Sequence, residues 1–412
     1  MSMLNRSDYR QRFALLLSGT VLVSGAEAIS PDPAFAANEC GSGPTVSCAS
    51  SANPYRNGII YAGSSIGVTL LGGVMVDTTT GSPPQGTYSV GIGARLPSAQ
   101  SSTGLKTVTV DPGVSITAAQ NGVFGIIIHN TAGSASGRVI NHGDIATAGI
   151  NASSIFVQVV NSSSVVNTGT LVTQGAGSNG ILAQSYNNGP GNVFVDNSGT
   201  IRTSGAGSYG IIGASGTGTV NLSQSGTVDA SGIGINLSGG GNNEGIVENL
   251  GSVNGTTGVR FGGINARLAN NGDIAGTGIG VQALGPQADI TNAAGATISG
   301  GQNGIAGSGA NVLIDLTNAG TVSGASSSGV QGGVAAGATL SIANQGSGII
   351  TGSSGILMTP GSLNIVNSGA IRGTSGRGIS YSGNGSGTVS IENDGSVIGT
   401  SDGIRVDNAD TE

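Results

Sequence analysis

A short phrase, Asn-x-Gly-x-(Ile/Leu/Val), recurs along most of the chain and constrains its fold more than any other feature. Eight copies are regular, and three variants fill the gaps: one has Gln in place of Asn, and two carry extra residues before the apolar position. The ten intervals average 25.2 residues and range from 21 to 30. A period of this length indicates a repeat protein. The eleven landmark residues are Asn141, Asn167, Asn197, Gln224, Asn249, Asn270, Asn292, Asn318, Asn344, Asn367 and Asn393.

The apolar residues around each landmark follow the spacing of a β-strand. The residue two positions before the landmark is apolar in all eleven copies, and in the regular copies another apolar residue lies four positions after it. A spacing of two places side chains on one face of a strand. A second landmark, Gly followed by Ile or Val, comes 8–13 residues later, and Gly permits the backbone conformation of a sharp corner. Each repeat is therefore predicted to form about three short strands joined by tight corners.

One such coil cannot bury its own apolar face, whereas stacked coils share a continuous core. The sequence thus predicts an all-β, three-sided parallel β-solenoid with roughly 11–12 coils of about 25 residues. The Asn residues would lie above one another at one corner, where the amide donor of each can reach the carbonyl of the next. A helical repeat is disfavoured because Gly and β-branched residues crowd every window.

The chain divides into three parts by composition. Residues 1–36 are predicted to be an export signal, with a basic start, an apolar stretch at 13–23 and small-residue cleavage patterns ending at Ala28 and Ala36. Residues 37–106 are less regular and are interpreted as an N-terminal cap with the first irregular coils and an insertion loop. Residues 107–412 are predicted to be the regular solenoid, and in its first coil Asp111 lies near the Asn position.

Charge and cysteine content restrict the partners of the chain. The net charge is −7 and Lys106 is the only lysine, which argues against nucleic acid or an anionic membrane as partner. Cys40 and Cys48 are the only cysteines, and in an exported protein they predict a small disulfide loop. His129 and His142 are interpreted as solvated or edge residues, and no metal or cofactor is expected.

The catalytic and phosphate-binding patterns in the sequence are incomplete. Two G-x-G-x-x-G stretches, at 175–180 and 205–210, lack the following helix that a phosphate loop requires. The alternative function is a polysaccharide lyase or glycosidase on the solenoid, which needs clustered carboxylates, often with Arg or Lys. Four or more charged residues converging on one strand face in adjacent coils would replace the structural interpretation with that enzyme. Otherwise the expectation is a protein without catalysis.

The exported start, the paired cysteines, the segment NPYRNGIIYAG at 53–63 and the Asn-x-Gly-x-Ile coils together resemble bacterial autotransporter passenger domains. These are surface proteins of the type V secretion route. The resemblance implies a right-handed parallel β-helix on the cell surface, at the outer membrane or outside the cell. It also implies an adhesive or structural role towards a surface ligand on a host cell, matrix or another bacterial cell. The outer-membrane β-barrel of that family is not expected here, because only Tyr381 and no Phe or Trp follows Phe261.

Overall fold

The computed structural model describes residues 39–98, 102–185, 191–240, 243–308, 312–333, 337–383 and 387–408. The predicted export signal lies outside the described residues. The prediction of an all-β parallel solenoid is confirmed: 59% of the described residues are in strands, in stacked parallel sheets of about 13 turns of roughly 26 residues. In the described part, helix is confined to a single 3-10 turn at Ser50–Ala52. Each regular turn contributes three strands, which lie on three faces that we name face A, face B and face C.

Face A is a sheet of fourteen strands. Its strands are Thr45–Cys48, Ile66–Leu70, Gly104–Val110, Ala135–Asn141, Ser163–Asn167, Val193–Asn197, Val220–Gln224, Glu244–Asn249, Asn265–Asn270, Gln287–Asn292, Leu313–Asn318, Thr339–Asn344, Ser362–Asn367 and Val389–Asn393. Eleven of these strands end on a landmark residue, so the repeat found in the sequence marks the end of face A.

Faces B and C share the second sheet. Face B consists of Met75–Asp77, Ser115–Ala118, Asp144–Thr147, Thr170–Thr173, Thr200–Thr203, Thr227–Ala230, Thr297–Gly300, Thr321–Gly324, Ile349–Gly352, Ala370–Gly373 and Ser396–Ile398. Face C consists of Ile59–Tyr61, Val90–Arg95, Val123–His129, Ile155–Val159, Ile181–Ser185, Ile211–Ser215, Ile233–Gly239, Asn303–Gly307, Ser328–Gln331, Ser354–Met358, Ile379–Gly383 and Ile404–Asn408. Two long strands, Ser252–Gly262 and Asp273–Ala283, run through both faces.

The core lies inside the stack because side chains alternate along each strand. In Glu244–Asn249 every second residue is buried, and this pattern recurs in the neighbouring turns. The parallel register places Val165 opposite Val195 and Asn167 opposite Asn197. Identical or similar side chains therefore pack on one another along the axis, which is how a repeat protein builds a continuous core.

The solenoid already begins in the amino-terminal region. The first three strands of face A, Thr45–Cys48, Ile66–Leu70 and Gly104–Val110, pair in parallel, and the first two lie within the region 37–106 interpreted as a cap with the first irregular coils. This accounts for about 13 turns in place of the predicted 11–12. In the same region Val110, and not Asp111, lies in register with Asn141. Val110 takes the inward position because its neighbours Val108 and Leu70 already follow the alternation of face A.

Parallel pairing is not complete at the start of face C. Val90–Arg95 pairs in an antiparallel sense with both Ile59–Tyr61 and Val123–His129. The preceding insertion, which contains Pro83 and Pro84, reverses the direction of the chain before it joins the face. The prediction of parallel pairing is therefore wrong for this one strand.

Candidate functional site

The landmark residues form a buried column at the end of face A. The side-chain amide of each Asn donates to the side-chain oxygen of the landmark in the next turn, at 2.6–2.8 Å. All donors point towards the carboxyl end of the chain. The residues from Asn141 to Asn367 are 0–1% exposed. The column therefore connects successive turns inside the protein and offers no surface to a ligand.

The Gly of the repeated phrase follows from the same geometry. In the eight regular copies the amide of Asn also donates to the carbonyl oxygen two residues later, as from Asn141 to Gly143 at 3.0 Å. In Asn292 and Asn344, whose copies carry extra residues, it donates to the carbonyl four residues later. At Gly199, a Cβ would collide with the carbonyl oxygen of Gly169 and lie 2.8 Å from Nδ2 of Asn167. A side chain at this position would push neighbouring turns apart, so Asn and Gly are required together.

The column has one interruption and one unsatisfied end. Nε2 of Gln224 is buried without a hydrogen-bond partner, and Oδ1 of Asn249 accepts from its own turn, from Gly251 N at 3.3 Å. At the other end, Oδ1 of Asn141 has no partner, because the residue in register below it is Val110. The column is thus two hydrogen-bonded runs, Asn141 to Gln224 and Asn249 to Asn393.

The cysteines lie where the solenoid starts. Cys40 and Cys48 form a disulfide, and Cys48 is fully buried on face A, opposite Leu70. The backbone N–H of Cys40 donates to the hydroxyl of Tyr61 at 2.9 Å. Burial raises the pKa of Tyr61 above its usual value. The disulfide therefore joins the first described residues to the first core strand.

A group of charged residues lies on the outer side of face A. Glu244 and Glu248 lie on one strand, and Arg267, Asp289 and Asp315 follow on the next three strands. We name these five residues the charged patch. Arg267 Nη1 lies 3.4 Å from Glu244 Oε1, and both side chains are largely exposed. In a chain with 8% charged residues, five lie on one face in four adjacent turns, which reaches the number in the sequence criterion for an enzyme. They do not all converge on one point, because only Glu248, Arg267 and Asp289 line a common depression.

A depression lies within the charged patch. It forms because the small Ala269 stands in register between Glu248 and Thr291. Its volume is about 320 Å³. It is lined by Ile246, Val247, Glu248, Arg267, Leu268, Ala269, Asp289 and Thr291. A carboxylate pair and a guanidinium around such a depression can hydrogen-bond a polar, hydroxyl-bearing ligand.

Sequence reasoning did not find this patch, although a signal for it existed. Arg267, Asp289 and Asp315 each lie three positions before a landmark Asn. That position points outward on face A. Comparing equivalent positions of successive repeats, instead of scanning for local motifs, would have brought the three residues together.

A second, uncharged groove follows the corner between faces B and C. It holds about 460 Å³. It is lined by Gly276, Ser299, Gly300, Gly301, Ser323, Gly324, Ala325, Thr351, Gly352 and Thr374. The glycines are required by the corner: a Cβ on Gly300 or Gly324 would collide with the backbone three or four residues ahead. The groove is therefore a consequence of how the corner turns.

Three titratable residues lie apart from the charged patch. Lys106 is inward-facing and fully buried, and its Nζ donates to Thr103 O at 2.8 Å. Burial lowers the pKa of Lys106 to about 8. His129 is buried, and its ring lies tilted against Phe156 with ring centroids 6.2 Å apart, so of the interpretation as a solvated or edge residue the solvated part is wrong. His142 is exposed, and its Nδ1 lies 2.7 Å from Thr168 Oγ1.

A metal site, a membrane-spanning helix and a phosphate loop would each be recognisable within the described ranges. Within them no three His, Cys, Asp or Glu residues are grouped so as to hold a metal ion. The helical part of the same ranges contains no segment of the length and hydrophobicity that would cross a bilayer. Both G-x-G-x-x-G stretches lead into strands of face C, Ile181–Ser185 and Ile211–Ser215. This is not the helix that a phosphate loop needs.

Comparison of the chain with protein families, with curated proteins and with solved structures finds no match.

Proposed function

We propose that this protein is an exported, passenger-type β-solenoid that acts as a structural and adhesive module at the bacterial surface or outside the cell. The observation that carries the proposal is the uninterrupted stack of face A. Fourteen parallel strands, spaced by about 4.8 Å, make a sheet about 60 Å long. Such a stack holds exposed side chains at a distance from its point of attachment.

Export is supported by two features near the amino end. Residues 1–36 have the composition of a signal peptide. The Cys40–Cys48 disulfide fits an oxidising compartment, because disulfides persist there and are rare in the cytosol. Together they favour a route through the inner membrane towards the cell surface.

Contact with another surface requires exposed recognition elements, and the charged patch is the strongest candidate. Its carboxylates and Arg267 are presented on a rigid sheet and not on a loop. The partners that we propose are a host cell, matrix or another bacterial cell. The polar character of the depression favours a hydroxyl-bearing or charged ligand on that surface.

Export is tested by expressing the full chain in a Gram-negative bacterium and fractionating the cells. We expect periplasmic protein whose new amino terminus follows Ala36 or Ala28, with Cys40 and Cys48 oxidised. The matched control is Leu16→Arg, which places a charge in the apolar stretch and should retain uncut protein in the cytosol. Uncut wild-type chain in the cytosol would contradict the proposal.

Adhesion is tested with beads coated with the purified, processed protein. We expect the beads to attach to bacterial, epithelial or matrix-coated surfaces more than beads carrying an unrelated protein. Asp289→Asn with Asp315→Asn should reduce attachment, whereas Asp196→Asn, on the same face outside the patch, should not. Attachment no greater than background on all surfaces would rule out the adhesive role.

The charged patch also supports a second candidate, a carbohydrate-active enzyme. Most glycosidases use two carboxyl groups about the scissile bond, and the patch supplies several. The test is release of reducing ends from a panel of neutral and acidic polysaccharides. Release that is lost in Asp289→Asn would replace the structural proposal with an enzymatic one. Absence of release by the wild type would leave the structural proposal in place.

A further inference from the structure

The interruption of the column lies deep inside the solenoid. Six described strands of face A precede the strand of Gln224, and six follow the strand of Asn249. Elsewhere between Asn141 and Asn393 each landmark amide donates to the next turn, but Nε2 of Gln224 is buried without a partner. A buried donor left unsatisfied costs about 1–3 kcal/mol. The turn of Gln224 and the turn of Asn249 are therefore joined less tightly than their neighbours.

A second side-chain ladder ends close to the same level. At the corner between faces B and C, the N–H of Ala152 donates to Ser178 Oγ at 2.8 Å, and the N–H of Ser178 donates to Ser208 Oγ at 3.0 Å. In the next turn Gly232 occupies this corner, and only its backbone N–H bonds back, to Ser208 O at 2.9 Å. No serine of this ladder thus reaches across to the turn of Asn249.

The turn that follows is also built differently. Faces B and C merge there into one strand, Ser252–Gly262, and the register shifts between Gly255 and Thr257. The next landmark interval shortens to 21 residues, from Asn249 to Asn270. Pairing on face B across the boundary is limited to three residues, from Thr227–Asp229 to Ser252–Asn254.

We propose that the solenoid consists of two hydrogen-bonded blocks that meet between the turn of Gln224 and the turn of Asn249, and that this internal interface opens before any other. The stability of a solenoid is approximately a sum of repeat and nearest-neighbour terms. A deficit at one interface therefore stays local and appears as local opening. The chain thereby carries a built-in position at which the rod bends or separates while both blocks stay folded.

The experiment is native-state hydrogen exchange on the full chain, read by mass spectrometry. The exchange rates of backbone amides are compared between strand Glu244–Asn249, at the boundary, and strand Leu313–Asn318, inside the block that runs from Asn249 to Asn393. We expect amides of the first strand to exchange about tenfold faster, since one unsatisfied donor corresponds to a factor of that order. Neither strand is at an end of the stack, so fraying does not account for the difference. Equal protection of the two strands would overturn the proposal.

Two variants complete the test. Gln224→Asn restores the residue found in the other turns, so it should slow exchange of Glu244–Asn249 about tenfold and leave Leu313–Asn318 unchanged. Asn292→Gln reproduces the interruption at a regular interface and should speed exchange of Leu313–Asn318 by a similar factor. If Gln224→Asn fails to fold, Asn292→Gln decides alone. Unchanged exchange of Leu313–Asn318 in Asn292→Gln would refute the inference.

Discussion

Removal of one side chain from the middle of the column should destabilise the solenoid far more than its small size suggests. Oδ1 of Asn318 accepts from Asn292 at 2.8 Å, and its Nδ2 donates to Asn344 at 2.8 Å and to Gly320 O at 3.2 Å. Asn318→Ala removes these bonds and leaves a buried donor below and a buried acceptor above. Each orphaned group costs about 1–3 kcal/mol.

Partial relaxation sets the expected value within this range. In the variant, Nδ2 of Asn292 still donates to the carbonyl oxygen of Thr321 at 3.2 Å, so this donor loses only part of its hydrogen bonding. Oδ1 of Asn344, in contrast, has no other donor among the described contacts. We therefore expect Asn318→Ala to lower the free energy of unfolding by about 2–4 kcal/mol.

The measurement is chemical denaturation of the full chain followed by circular dichroism. Thr317→Ala is the matched control, because Thr317 is the outward neighbour on the same strand; it should change the free energy by less than about 0.5 kcal/mol. If both variants unfold at the same denaturant concentration as the wild type, the column does not stabilise the fold and the reasoning fails.

Three further predictions concern the rest of the solenoid. Because burial lowers the pKa of Lys106 to about 8, the unfolded chain binds more protons between pH 8 and 10.5. Stability should therefore rise across that interval, and this rise should disappear in Lys106→Met, as measured by denaturation at several pH values. Cys40→Ser opens a loop of separation 8 and should cost about 2–3 kcal/mol, seen as faster exchange around Cys48; unchanged exchange would show that the disulfide is dispensable. Gly199→Ala, whose Cβ collides with Gly169 O, should lower the melting temperature by several degrees, and an unaltered melting curve would contradict the close approach of the turns.

Most of the Asn column could be predicted from the spacing of the repeats. Each of the eleven landmarks predicted from the sequence is the last residue of a strand of face A. This was predictable because the alternation of apolar residues and the fixed distance from an apolar residue to the landmark are local properties of the sequence. Nine of the ten side-chain bonds expected from eleven stacked amides are present. Only the substitution at Gln224 breaks the series, and its effect depends on the geometry of the neighbouring turn.

The candidate site could not be predicted in the same way. Glu248 and Asp289 are separated by 41 residues, and both line the depression because the two landmark intervals between their strands are 21 and 22 residues long. The depression exists because Ala269, a residue without chemical interest on its own, lies in register between Glu248 and Thr291. The burial of Lys106 and His129 likewise depends on which side chains surround them and not on their own sequence context.

The amino-acid sequence by itself determined the period and the landmark and apolar residues of the regular repeats that point inward, because these depend on alternation within a few residues. Only the tertiary structure decided which outward residues of different turns become neighbours, where the column is broken, and which strand runs antiparallel. These features depend on the length of each corner and the register between turns. Such contacts join residues more than twenty positions apart, and no local pattern fixes them.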